Sequence, residues 1–224
     1  MKLSLLKLLS LAALVCLIGC GGGDDNPADN NDNNSANNGG NSNNNNNNNG
    51  GGGGTSDYVE LGGLKWMKKN LNIEAGNSWC YDNDPANCET YGRLYDWATA
   101  KTVCPTGWKL PDNDDWNSLR ASVGGRDVSG KALKSKSGWY QGGNGTDSYG
   151  FSALPSGARV SESDPTFAVL PFVGITMNGM WWTATEKADN DQAAVRRIIS
   201  FNSDADNFLY DSKDMGLSVR CVKQ

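Results

Sequence analysis

All eight Trp, all seven Tyr and all five Phe of the 224-residue chain fall between Tyr58 and Gln224. From Gly21 to Asp57 there is no aromatic residue and no large aliphatic one. The segment is nearly all Asn, Gly, Asp and Ser, with an unbroken Asn43–Asn49 run followed by Gly50–Gly54. That boundary decides what can fold. A stretch without apolar side chains cannot offset the entropy of ordering itself. Residues 20–57 therefore read as a disordered Asn/Gly tether with an r.m.s. span of roughly 30–35 Å. A prion-like Asn tract is the competing reading. Dilution by Gly and the lack of interleaved aromatics argue against it. Residues 58–224, roughly 165 of them, can bury close to 70% of their unfolded surface.

The first 19 residues read as a leader. Lys2 and Lys7 precede the apolar run Leu8–Ile18, which is too short to span a bilayer comfortably. Leu17-Ile18-Gly19-Cys20 resembles a bacterial lipobox, which implies acylation of Cys20 and cleavage before it. Several acyl chains on one residue exceed what stable anchoring needs. The expected partner is thus a membrane, held through lipid on Cys20. No Asp follows Cys20 directly, and Asp24-Asp25 resembles the surface-export signals of some bacterial lipoproteins. The expected location is the cell envelope, at the outer membrane or cell surface.

Charge and composition exclude several function classes. The chain has no His, so it has no Ser-His-Asp or Cys-His nucleophile and no His-ligated zinc. Its net charge of −5 argues against a nucleic-acid partner. Four Cys remain in the folded part: Cys80, Cys88, Cys104 and Cys221. An even count in an exported chain reads as disulfides. Three pairings are open. The short loop through Asp82-Asn83-Asp84-Pro85 favours Cys80–Cys88, which would leave Cys104–Cys221. A Cys-only zinc site lacks the close Cys-x-x-Cys knuckles it would need.

Local patterns point to an α+β chain with two early helices followed by short antiparallel strands. Leu94, Trp97 and Ala98 share a helical face in Arg93–Val103. Asp112 reads as an N-cap, with Asp114 and Asp115 in the first turn and Trp116, Leu119 and Val123 at three- and four-residue steps. Gly124-Gly125 ends that helix. Phe151–Leu154, Gly179–Thr185, Ala194–Phe201 and Leu217–Val222 read as strands.

A series of motifs runs through residues 58–224 in order. Trp66-Met67-x-x-Asn70-Leu71, Tyr91-Gly92-Arg93-Leu94-Tyr95-x-Trp97 and Cys104-Pro105-x-Gly107-Trp108-x-Leu110-Pro111 come first. Leu133-Lys134, Gly138-Trp139, Asp147-x-Tyr149-Gly150-Phe151-x-Ala153-Leu154-Pro155-x-Gly157-x-Arg159, Trp182-Thr183-Ala184-Thr185-Glu186 and Ser218-Val219-Arg220-Cys221-Val222 follow. Together they resemble the Fibrobacter succinogenes major paralogous domain, often found in bacterial lipoproteins. Lys109 stands where that family usually has His. More distantly, Leu110-Pro111-Asp112 before a helix and Val219-Arg220-Cys221 at the end are similar to the C-type-lectin-like fold, including its formylglycine-generating-enzyme branch. This resemblance implies a Cys104–Cys221 bridge from a helix end to the last strand.

Activity is less legible, because function sits in loops grafted on a fold. The reactive Cys pair that the formylglycine-generating type uses has no motif here, so no catalytic residue and no enzyme is expected. The resemblance instead implies a ligand-binding or adhesion module for a polysaccharide or an envelope protein. A structural envelope protein with no specific ligand is the alternative. Trp139, Tyr140, Trp181 and Trp182 are the candidates for stacking on sugar faces, against the competing reading of core packing. Glu186, Asp189 and Asp191 offer hard oxygen ligands for calcium, against the competing reading of a solvated loop between strands. No other cofactor is indicated.

Overall fold

Adjacent side chains on a strand point to opposite faces, so Trp181-Trp182 sets a demand on any sheet that holds it. Both are fully buried in the computed structural model, which describes residues 57–224 other than Phe167. The leader, Cys20 and the tether as far as residue 56 lie outside the described residues. With Trp on both faces, the sheet must be covered on both.

The chain enters through a hairpin of β1 (Tyr58–Leu61) and β2 (Leu64–Met67), then β3 (Ser78–Trp79). Helix α1 (Pro85–Tyr91), strand β4 (Leu94–Tyr95) and helices α2 (Trp97–Ala100), α3 (Asn113–Ser122) and α4 (Arg126–Leu133) follow. The rest is sheet: β5 (Ser156–Arg159), β6 (Phe172–Ile175), β7 (Asn178–Lys187), β8 (Asn190–Ser200), β9 (Asp206–Ser212), β10 (Leu217–Ser218) and β11 (Val222–Lys223). Six strands form the main sheet in the order β3-β4-β10-β7-β8-β9. Only its β10–β7 pair is parallel, with Ser218 beside Trp181. The last strand, β11, joins β2 rather than this sheet, so both ends of the folded region share a second sheet, β1-β2-β11. The architecture is mixed helix and sheet with few helices and two disulfides.

Two cores result. Trp182 packs with Tyr95, Trp97, Leu110, Leu217 and Val219 on one face. Trp181 packs with Trp66, Trp116, Leu133, Phe151 and Ile199 on the other. Helix α3 seals the second. The Asp115 amide donates to Asp112 Oδ1 at 2.8 Å and the Asp112 amide to Asp115 Oδ2 at 3.0 Å, a reciprocal cap. Trp116 and Leu119 then point inward, as their spacing predicts.

The expected helix over Arg93–Val103 is corrected. Leu94 and Tyr95 pair with both β3 and β10. Asp96 then caps a fresh four-residue turn by accepting from the Thr99 amide at 2.8 Å. The expected strand Phe151–Leu154 is also absent, and only Ala153 bridges to Lys134. Ser152 there has φ of 54°, which breaks an extended run. Leu217–Val222 divides into β10 and β11 around Arg220.

Arg220 is the unexpected member of the core. It is fully buried, and burial pushes its pKa down to about 9. Its guanidinium donates to Asn70 Oδ1 at 2.8 Å and to the Phe151 carbonyl. The Trp181 indole donates to the same Asn70 oxygen at 2.8 Å. Asn70 in turn donates to the Tyr91 carbonyl at 2.9 Å. One amide thus joins three distant parts of the family motif series.

Candidate functional site

The disulfides Cys80–Cys88 and Cys104–Cys221 are both formed. They match the favoured pairing and leave no described Cys free for chemistry.

Three of the four aromatic candidates are corrected. Trp181 and Trp182 are fully buried, and Trp139 is 4% exposed. Their indole N–H groups are taken by Asn70, the Tyr95 carbonyl and Ser135 Oγ respectively. The reason is the doubly covered sheet and the packing of the Trp139 ring into the second core. These rings pack inside and offer no face to a sugar. Tyr140 alone is open, 45% exposed, with its ring set edge-on to Phe201 at 5.4 Å.

The acidic candidates do not converge either. Glu186 is bound by Lys213 Nζ at 3.0 Å, and Asp189 lies 3.4 Å from Lys187 Nζ. Asp191 Oδ1 accepts from the Gln192 side-chain Nε2 at 3.1 Å. Each of the three carboxylates meets a donor of the chain itself through one oxygen. Among the described residues no group of three or more His, Cys, Asp or Glu side chains comes together to hold a metal.

A polar cleft forms instead where sequence gave no local signal. A cavity of about 520 Å³ is lined by Asp96, Ser163, Gln192, Ser212, Lys213 and Asp214. Four separate segments are brought together there. The Lys213 amide donates to the Gln192 carbonyl, and the Trp97 amide donates to the Lys213 carbonyl, both at 2.9 Å. Arg159 and Gly216 exchange both backbone bonds at 2.9 Å, which draws the Ser161–Ser163 segment against Asp214. Gly216 is required at this crossing, because a Cβ would lie 2.8 Å from that of Arg159.

The electrostatics are legible bond by bond. Ser161 donates to Asp214 Oδ2 at 2.6 Å. A hydroxyl has one proton, so Ser163 donates in its 2.6 Å contact with Ser161. The Ser163 amide donates to Ser161 Oγ as well. Partial burial pushes the Asp214 carboxyl up. Hydrogen bonds from Ser161, Ser212 and its own amide, with the charge of Arg159, outweigh burial and hold it below the ordinary carboxylate range. Asp96 accepts from the Thr99 amide and from the Asn77 side chain at 2.8 Å. Lys213 Nζ is drawn toward Glu186 and the Asp191 carbonyl, and lies 4.3 Å from the centre of the Trp97 ring. Only Asp96, as a cap before a short turn, had a sequence signal that could have exposed it.

The family model for the Fibrobacter succinogenes major domain matches residues 59–223. No curated protein and no solved structure matches the chain.

Proposed function

The chain belongs to the Fibrobacter succinogenes major domain family, and on that premise we propose that it is a lipid-anchored cell-envelope lipoprotein displaying a lectin-like binding module. Its ligand is a polysaccharide or an envelope protein, taken in the polar cleft. The observation that carries this reading is the convergence of six polar residues from four segments on one open cavity. Sites for polar ligands need few but well-placed groups of this kind. The lectin-like assignment is supported by the bridge from Cys104, after α2, to Cys221 beside the last strand. The anchor is supported by the lipobox-like Leu17–Cys20. The reading assigns no catalytic residue.

Sedimentation of the full chain with cellulose, xylan and peptidoglycan, with and without calcium, tests the cleft. Retention on one polymer that falls in Gln192→Ala and Asp214→Asn variants is the expected result. No retention on any of them would leave the second reading, a structural envelope protein without a specific ligand. The burial of Trp139, Trp181 and Trp182 favours that alternative, because it removes a flat aromatic platform. Labelled palmitate should enter the wild-type chain in its bacterial host and not the Cys20→Ser variant.

A further inference from the structure

Strand β9 ends the main sheet and pairs only with β8. At seven residues it is the longest edge strand among the described residues, whereas the opposite edge, β3, has two. Long edges are commonly blunted by Pro, Lys or a bulge. β9 contains neither Pro nor Lys, and its register with β8 runs from Asp206 to Ser212 without a shift. Its inward acid, Asp211, is held on Arg196 at 2.5 Å.

The ladder decides which backbone groups the edge leaves open. The Lys213 amide donates to the Gln192 carbonyl, so that pair is directly bonded. Bonded and non-bonded pairs alternate along an antiparallel ladder. Asn207, Leu209 and Asp211 therefore bond β8, while Asp206, Phe208, Tyr210 and Ser212 turn their N–H and C=O groups outward. Both ends of this row are then closed. Helix α4 packs on the turn before β9, with Gly130 against Ala205, and its Arg126 bonds Asn207 at 2.7 Å. At the other end the Ser212 carbonyl accepts from the Met215 amide. Phe208 and Tyr210 remain, with one donor and one acceptor each.

We infer that β9 pairs with β9 of a second copy of this chain, antiparallel, across a two-fold axis at Leu209. Phe208 then stands opposite Tyr210 of the second copy, and Tyr210 opposite its Phe208. Both open groups of each residue are used, which makes the contact isologous. An axis at Phe208 would need Asp206, and one at Tyr210 would need Ser212, so the closed ends fix the register. The side chains agree with it. Phe208 and Tyr210 share one face, with ring centres 6.2 Å apart, and Tyr210 is 47% exposed. The two-fold extends this pair into a run of four rings, and aromatic cross-strand neighbours are favourable. Asn207 comes opposite Asp211 of the second copy, so no like charges face each other.

Sedimentation equilibrium over roughly 1 μM to 1 mM tests this. The sample is the mature chain from residue 20 with Cys20→Ser, so that neither lipid nor an unpaired thiol joins the copies. A reversible dimer with a Kd in the micromolar range is expected, because a contact this small belongs to the weak class. Tyr210→Pro removes an outward donor and no bond to β8, so it should raise that Kd about tenfold or more with circular dichroism unchanged. A dimer undiminished in that folded variant would overturn the edge as its seat. Cross-linking decides where the variant fails to fold. Leu209→Cys meets its own copy at the axis and should give a covalent dimer under mild oxidation. Tyr210→Cys lies two residues away from its copy, too far for a disulfide, and should not. Cross-linking through Tyr210→Cys and not through Leu209→Cys would overturn the register. A monomer at every concentration would overturn the second copy as occupant and leave the edge to an extended segment of another protein.

Discussion

Asn70 shows how one side chain can hold a fold together. Its oxygen accepts from both Arg220 and Trp181, and its amide group reaches Tyr91. Removing it leaves a buried guanidinium and a buried indole without their acceptor, which costs far more than a mean hydrogen bond. Asn70→Ala should therefore lose about 3–4 kcal/mol in denaturant unfolding. The tryptophans divide by the same logic. Trp181→Ala should cost about 3–5 kcal/mol, whereas Tyr140→Ala should stay near 0.5 kcal/mol as a surface change. Motif residues were thus readable in order along the chain, but their meaning was not. Trp66, Asn70, Trp182 and Arg220 stand in the motif series and build the core. The cleft residues Ser163, Ser212, Lys213 and Asp214 stand outside it. Nothing local marks four short polar segments that meet only after folding.

Among the elements, α3 was readable because its signals are all local: Asp112, two acids in the first turn, and apolar residues at helical steps. Asp112→Ala should lose about 1 kcal/mol of stability from the missing cap, measurable by thermal unfolding. Helix α4 (Arg126–Leu133) lacks such a pattern for a tertiary reason. A Cβ at Gly130 would lie 2.6 Å from the Ala205 carbonyl, so close packing on the turn before β9 overrides helix propensity. The β8–β9 pair carries a buried ionic cluster in which Asp206 bonds Arg197 at 3.0 Å and Arg120 at 3.3 Å. Asp206→Asn would leave the fully buried Arg197 without a carboxylate, and about 3–5 kcal/mol should be lost. Strand β4 bears on alkaline stability. Burial, opposed by a bond to Ile73, raises the Tyr95 hydroxyl from 10.0 to about 12. Burial raises Tyr81 likewise. The unfolded chain ionises these groups first, so their contribution is complete below pH 10 and declines as pH climbs toward 12. Tyrosinate absorbance followed alongside circular dichroism should show unfolding and ionisation rising together in that window.

For the whole molecule, the two disulfides are unequal. Cys80–Cys88 spans 8 residues and Cys104–Cys221 spans 117. Chain-entropy reasoning gives about 2.5 kcal/mol for the first and about 5 for the second. Replacing Cys104 and Cys221 by Ser should therefore lower the unfolding midpoint clearly more than replacing Cys80 and Cys88. The division into an aromatic-rich folded part and an Asn/Gly stretch was visible from composition alone. That both faces of the main sheet are covered was not, because it depends on how α3, α4 and the β1-β2-β11 sheet fold back. The long bridge has a further consequence for a chain exposed to proteases. The exposed residues Glu162, Ser163, Pro165 and Thr166 lie inside the loop it closes. A protease cutting there severs the backbone yet releases nothing, since both fragments stay joined through Cys104 and Cys221. Such a nicked molecule should run as one band on a non-reducing gel and as two after reduction, and the pieces of the cleft on either side of the cut remain in register.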